Sequence, residues 1–83
     1  MIIADVQYLG DYRIRVTFRN GEYRIVDFIS WLSQQKNPMT AQFMDMERFS
    51  SVKAKTTHLE WEDGEMDISA QSIYDGDFDS IEV

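Results

Sequence analysis

Leu59-Glu60-Trp61-Glu62-Asp63-Gly64-Glu65-Met66-Asp67-Ile68 is the stretch that decides the fold. Leu59 and Trp61 alternate with Glu60 and Glu62, the period of a half-buried strand. Asp63-Gly64 follows, a pair that accepts the positive φ angles of a tight two-residue turn. Met66 and Ile68 then alternate with Glu65 and Asp67. Such a loop sets residue 62 opposite 65, 61 opposite 66, 60 opposite 67 and 59 opposite 68. Leu59, Trp61, Met66 and Ile68 therefore share one face, and Glu60, Glu62, Glu65 and Asp67 the other. Ser69 is placed to cap a short helical turn through Tyr74.

Upstream, Val52, Ala54 and Thr56 alternate with Lys53 and Lys55. With Thr57-His58 as a two-residue turn, Lys55 faces Glu60 and Lys53 faces Glu62. Ala54 then faces Trp61, and Thr56 faces Leu59. Both faces of a three-strand meander are satisfied in this register, since opposite charges across a ladder contribute roughly 0.2–1 kcal/mol each.

The N-terminal part has the same grammar. Ile2 to Leu9 reads as a strand with Ile2, Ala4, Val6 and Tyr8 on one face, and Gly10-Asp11 turns the chain. Tyr12, Ile14, Val16 and Phe18 alternate with Arg13, Arg15, Thr17 and Arg19. Asn20-Gly21 is a strong hairpin turn. A two-residue loop there places Phe18 opposite Tyr23 and Val16 opposite Ile25 on the core face. It also places Asp27 on the apolar phase, opposite Ile14, where a buried carboxylate would be costly. The resolution expected is that Asp27 caps the next helix. Phe28, Ile29, Trp31 and Leu32 form that helix's apolar stripe over residues 28–35, and Pro38 stops it. Met39, Phe43, Met44 and Met46 are expected to fill gaps in the core, with Asp45 capping a turn through Phe49.

Trp61, Asp63-Gly64, Asp67-Ile68 and Ile73-Tyr74 resemble the closing signature of the bacterial domain-of-unknown-function 2442 family. Tyr12-Arg13-Ile14, Val16-Thr17-Phe18, Asn20-Gly21 and Arg24-Ile25-Val26-Asp27 resemble its opening one, and Phe43, Asp45, Phe49 and Val52 fit between them. The resemblance spans residues 5–75. It implies a small α+β domain without an established activity. It implies members that stand alone, some encoded beside another small protein in a layout suggesting toxin and antitoxin. Other members precede a helix-turn-helix module, for which this chain leaves no room.

Eighty-three residues make one domain, read here as an α+β domain over residues 1–75 with an acidic tail over 76–83. The expected architecture is antiparallel hairpins, as one sheet or two small ones, packed on one or two short helices. A chain this short buries only about 60% of its unfolded surface, so a partner or self-association would support it. The absence of cysteine removes disulfides and thiolate zinc sites and fits a cytoplasmic location. Met1-Ile2-Ile3-Ala4-Asp5 lacks a basic n-region, and no apolar run approaches the roughly 20 residues of a membrane span.

The net charge of −7 is unevenly distributed. Residues 1–56 hold all eight Lys and Arg against six acids, leaving +2; residues 57–83 hold nine acids and no Lys or Arg, leaving −9. That acidic third opposes direct attraction to nucleic acid or anionic lipid and suits a basic protein partner. Glu60, Glu62, Glu65, Asp67, Asp77, Phe78 and Asp79 are the candidate partner-binding residues. Arg13, Arg15, Arg19 and Arg24 are a candidate basic face on the first hairpin, without an aromatic stacking platform because the tyrosine phase points inward. His58, Glu60 and Glu62 share a strand face with ligand chemistry, but the spacing is nonspecific and Lys53 and Lys55 neutralise it. Catalytic elbows, phosphate loops and cofactor motifs are absent from the sequence. The expected function is a non-catalytic protein-interaction module, antitoxin-like by resemblance. A small-ligand or metal-binding accessory domain and a nucleic-acid-associated regulator are the alternatives.

Overall fold

The alternating stretches at the two ends of the chain form separate antiparallel sheets in a computed structural model, which describes residues 1–78. The first sheet holds β1 (Ile3–Gly10), β2 (Arg13–Phe18) and β3 (Tyr23–Asp27) in the order β1-β2-β3. The second holds β4 (Lys53–Ala54), β5 (His58–Trp61) and β6 (Met66–Ser69) in the order β4-β5-β6. Between them run α1 (Ile29–Ser33), α2 (Pro38–Ala41), a 3-10 turn (Gln42–Met44) and α3 (Met46–Phe49). α4 (Ala70–Tyr74) follows β6. The fold is a small α+β domain.

The β5–β6 register is the one read from Asp63-Gly64. Leu59 pairs with Ile68, Glu60 with Asp67, and Trp61 with Met66. Asp63 and Gly64 have φ of +56° and +92° as that turn requires, and Glu62 adds a third positive φ of +48°. Leu59, Trp61, Met66 and Ile68 are all buried. Ser69 caps α4 by accepting the amides of Gln71 and Ser72. Asp45 caps α3 through the amide of Arg48.

The β2–β3 register differs by one residue from the expected one. Ile14 pairs with Val26, Val16 with Arg24, and Thr17 with Tyr23. The loop has three residues, Arg19-Asn20-Gly21, closed by Phe18 N donating to Glu22 O at 2.8 Å and Gly21 N to Phe18 O at 3.0 Å. Gly21 takes the left-handed position at φ +90°, as in a bulged hairpin. A one-residue slip exchanges the faces of a strand. Val26 is therefore the buried β3 residue, while Tyr23 and Ile25 turn to the outer face. Asp27 leaves the apolar phase and lies opposite Arg13, its Oδ2 3.8 Å from Arg13 Nε. Its Oδ1 still accepts the Ile29 amide at 3.0 Å, at the start of α1.

Two further registers depart from expectation. A bulge at Ala4 puts Ile3, rather than Ile2 or Ala4, into the core, while Val6 and Tyr8 pack against it as read. In β4–β5, Lys53 pairs with Glu60 and Ala54 with Leu59, because the turn is Thr56-Thr57 and not Thr57-His58. Thr56 O accepts the Ile3 amide and Thr57 O accepts the Ala70 amide, both at 2.9 Å. This turn thus ties the two sheets and α4 together.

The core joins both sheets. Phe28, Phe43, Phe49 and Trp61 are fully buried, with Trp61 5.5 Å from Phe49, 6.3 Å from Phe28 and 6.4 Å from Phe43 between ring centres. Such aromatic pairs contribute about 0.5–1.5 kcal/mol each beyond area burial. Phe78 adds to the edge of this cluster, 5.2 Å from Phe28 and 5.6 Å from Trp31. Only Met66 of the later methionines is a core filler. Met39, Met44 and Met46 are 51%, 37% and 43% exposed, contrary to the gap-filling expectation. Phe43 and Phe49 supply the bulk instead.

Candidate interaction surface

The acidic hairpin divides its carboxylates. Glu60 is held by its own chain: its side chain is 18% exposed, with Lys55 Nζ at 3.7 Å and His58 Nε2 at 3.4 Å. Glu62, Asp63, Glu65 and Asp67 are exposed around the turn. Their expected neutralisation by Lys53 and Lys55 is therefore narrower than the meander predicted, since both lysines sit nearer Glu60. Glu65 accepts a hydrogen bond from Gln42 Nε2 at 3.1 Å, which docks the turn against the 3-10 segment. Asp77 is exposed and Phe78 is half-buried on Phe28 and Trp31. Asp79 lies outside the described residues.

The four arginines do not form one face. Arg13 and Arg15 point outward from β2; Arg13 meets Asp27, and Arg15 stacks over the Tyr23 ring at 4.5 Å. Arg19 sits in the turn. The register shift turns Arg24 to the opposite side, where it lies over the Tyr74 ring at 4.6 Å. The same shift brings Tyr23 outward, so the outer face carries an aromatic that the expected register had placed inside.

The Arg24 contact belongs to a clamp that strand patterns do not reveal. Tyr74 Oη donates to Glu22, and Asn20 Nδ2 donates to the same carboxylate at 2.9 Å. The Tyr74 bond, then the Asn20 bond, hold Glu22 below the ordinary glutamate range, with Arg24 adding a smaller pull. The Glu22 bond pushes Tyr74 above the ordinary phenol value. Glu22 and Tyr74 are far apart in sequence, so no local spacing points to the pair.

Among the described residues are two open clefts. One of ≈ 380 Å³ is lined by Ser30, Trp31, Gln34, Asp77 and Phe78. The other, of ≈ 360 Å³, is lined by Asp45, Glu47, Arg48, Ser51 and Glu62. His58 meets Glu60 but not Glu62, and among the described residues no three His, Asp or Glu side chains converge as metal ligands. No helix of the described residues is long and apolar enough to cross a membrane.

Two small antiparallel sheets on one aromatic core, with an exposed acidic turn, define a small α+β domain. Residues 3–79 match the family model described as protein of unknown function (DUF2442), nearly the whole chain, and the protein belongs to that family. No curated protein and no solved structure matches it.

Proposed function

We propose that this domain is a non-catalytic protein-interaction module of a bacterial cytoplasm, acting as the antitoxin-like member of a two-protein system. The observation that carries the reading is the placement of charge. Glu62, Asp63, Glu65 and Asp67 stand exposed around one hairpin, while the nearby Lys55 is taken by Glu60. Complementary charge of this kind sets partner choice and encounter rate. The gene layout implied by the family resemblance turns the reading toward a toxin-like partner.

Affinity purification of the tagged protein from its own cells, beside Glu62→Lys/Glu65→Lys, tests it. A stoichiometric protein that copurifies with the unaltered chain and is lost with the variant is expected. No specific partner with either would reject the reading. Charge reversal is preferable to truncation at Asp75, which would also remove Phe78 from Phe28 and Trp31.

The Trp31–Phe78 cleft supports a second reading, a small-ligand accessory domain. A ligand at 100 times its Kd would stabilise the fold by about 2.7 kcal/mol, a readily measured thermal shift. A broad ligand and cation screen without any shift would eliminate it.

A further inference from the structure

Three of the large hydrophobic side chains exposed among the described residues, Met39, Met44 and Met46, fall in a single eight-residue stretch. Met44 and Met46 bracket Asp45. Asp45, Glu47 and Glu62 line the ≈ 360 Å³ cleft between α3 and the β5–β6 turn, with Arg48 the one cation among its described lining residues. Arg48 Nη1 donates to Gln42 Oε1 at 2.6 Å, and Gln42 Nε2 donates on to Glu65. That chain of bonds braces the methionine segment against the acidic turn. The Tyr12 hydroxyl, donating to Met44 O, braces it against the first hairpin. Met44 and Met46 are thus exposed on a supported backbone, adjacent in the chain to the Asp45 and Glu47 that line the cleft.

We propose that this surface docks a basic amphipathic segment of another protein, its Lys or Arg entering the Asp45–Glu47–Glu62 cleft and its apolar side chains covering Met44 and Met46. The proposal deepens the interaction reading and rests on it. Charge complementarity selects the occupant: three carboxylates against one guanidinium favour a cationic segment and repel an anionic bilayer or a nucleic acid. The unbranched thioethers adapt to apolar shapes without a preformed groove, which suits a helix laid on its apolar face.

The test uses the full chain and a fluorescent synthetic amphipathic peptide of leucine and lysine, read by anisotropy. A leucine–glutamate peptide of equal length is the control ligand. Met44→Ser/Met46→Ser and Glu47→Lys/Glu62→Lys should each weaken the lysine peptide about tenfold or more, the scale of buried anchor residues. Asp5→Lys/Asp75→Lys changes net charge equally at exposed positions elsewhere and should leave binding within about twofold. Circular dichroism confirms that each variant folds. No binding of the lysine peptide, equal binding of the glutamate peptide, or equal loss in the control variant would overturn the proposal. So would a dimer by light scattering that Met44→Ser/Met46→Ser dissolves, since the face would then belong to a second copy. A native partner retained by Met44→Ser/Met46→Ser would remove this surface while leaving the interaction module standing. The absence of any native partner for the unaltered chain would remove both.

Discussion

Trp61 Nε1 donates to the backbone carbonyl of Phe49 at 2.8 Å inside the core. One bond thereby ties the end of α3 to the centre of the second sheet. Trp61→Phe removes the donor, leaves the carbonyl without it, and opens space beside Phe28, Phe43 and Phe49. The expected cost is about 2–4 kcal/mol, combining a lost buried partner with a small cavity. Urea denaturation followed by circular dichroism measures it. A loss below half a kcal/mol would mean the indole N–H is not an anchor.

Gly21 is the pivot of the β2–β3 hairpin. Its φ of +90° is one that a Cβ disfavours, yet a Cβ built there meets nothing within 4 Å. Gly21→Ala therefore isolates the backbone term, about 1–2 kcal/mol. A thermal midpoint unchanged by the substitution would argue for a loop of another type.

Ser69→Ala removes the acceptor shared by the amides of Gln71 and Ser72. A loss of about 0.5–2 kcal/mol is expected, because α4 is only five residues long and depends on its cap. Hydrogen exchange at the Gln71 and Ser72 amides should accelerate more than exchange in β5. Uniform acceleration across the molecule would show that α4 unfolds only with the rest.

The Glu22–Tyr74 clamp predicts a pH window. Glu22 is depressed in the folded chain by the Tyr74 bond first and the Asn20 bond second. Its contribution is present above the ordinary glutamate value and is lost as pH falls through the lowered folded value. Tyr74 is raised by Glu22, so its contribution is present below the ordinary phenol value and is lost as pH rises through the raised one. A carboxyl-carbon NMR titration should place Glu22 below the ordinary glutamate value, and Tyr74→Phe should move it upward. An unmoved midpoint in Tyr74→Phe would assign the depression to Asn20 and Arg24 instead.

Phe78→Ala should destabilise the domain by about 1–2 kcal/mol, less than a fully buried phenylalanine because the ring is half-exposed beside Phe28 and Trp31. Near-ultraviolet circular dichroism of Trp31 and the melting temperature report it together. No change in either would show that the ring does not dock in solution.

The local chemistry of this chain wrote its elements plainly. Period-two alternation marked five of the six strands, Asp63-Gly64 defined the β5–β6 register, and Ser69 and Asp45 announced the helical turns they cap. The family signature was legible for the same reason, since its marks are turn and core residues in order. Asn20-Gly21 was not decisive, because both a two-residue loop and a three-residue loop with Gly21 as the bulge satisfy it. The warning lay at Asp27, a carboxylate on the apolar phase of the shorter loop. Only the assembled core chose, by burying Val26 and sending Asp27 out to Arg13, and that one-residue choice separated the arginines and exposed Tyr23. The Thr56-Thr57 turn was decided by distant amides, those of Ile3 and Ala70. The exposure of Met39, Met44 and Met46 was likewise a matter of space, already filled by Phe43 and Phe49. The sequence by itself determined where the strands, turns and caps fall, because those preferences are local; the tertiary structure decided the β2–β3 and β4–β5 registers and the face each strand shows, because burial is a property of the whole core.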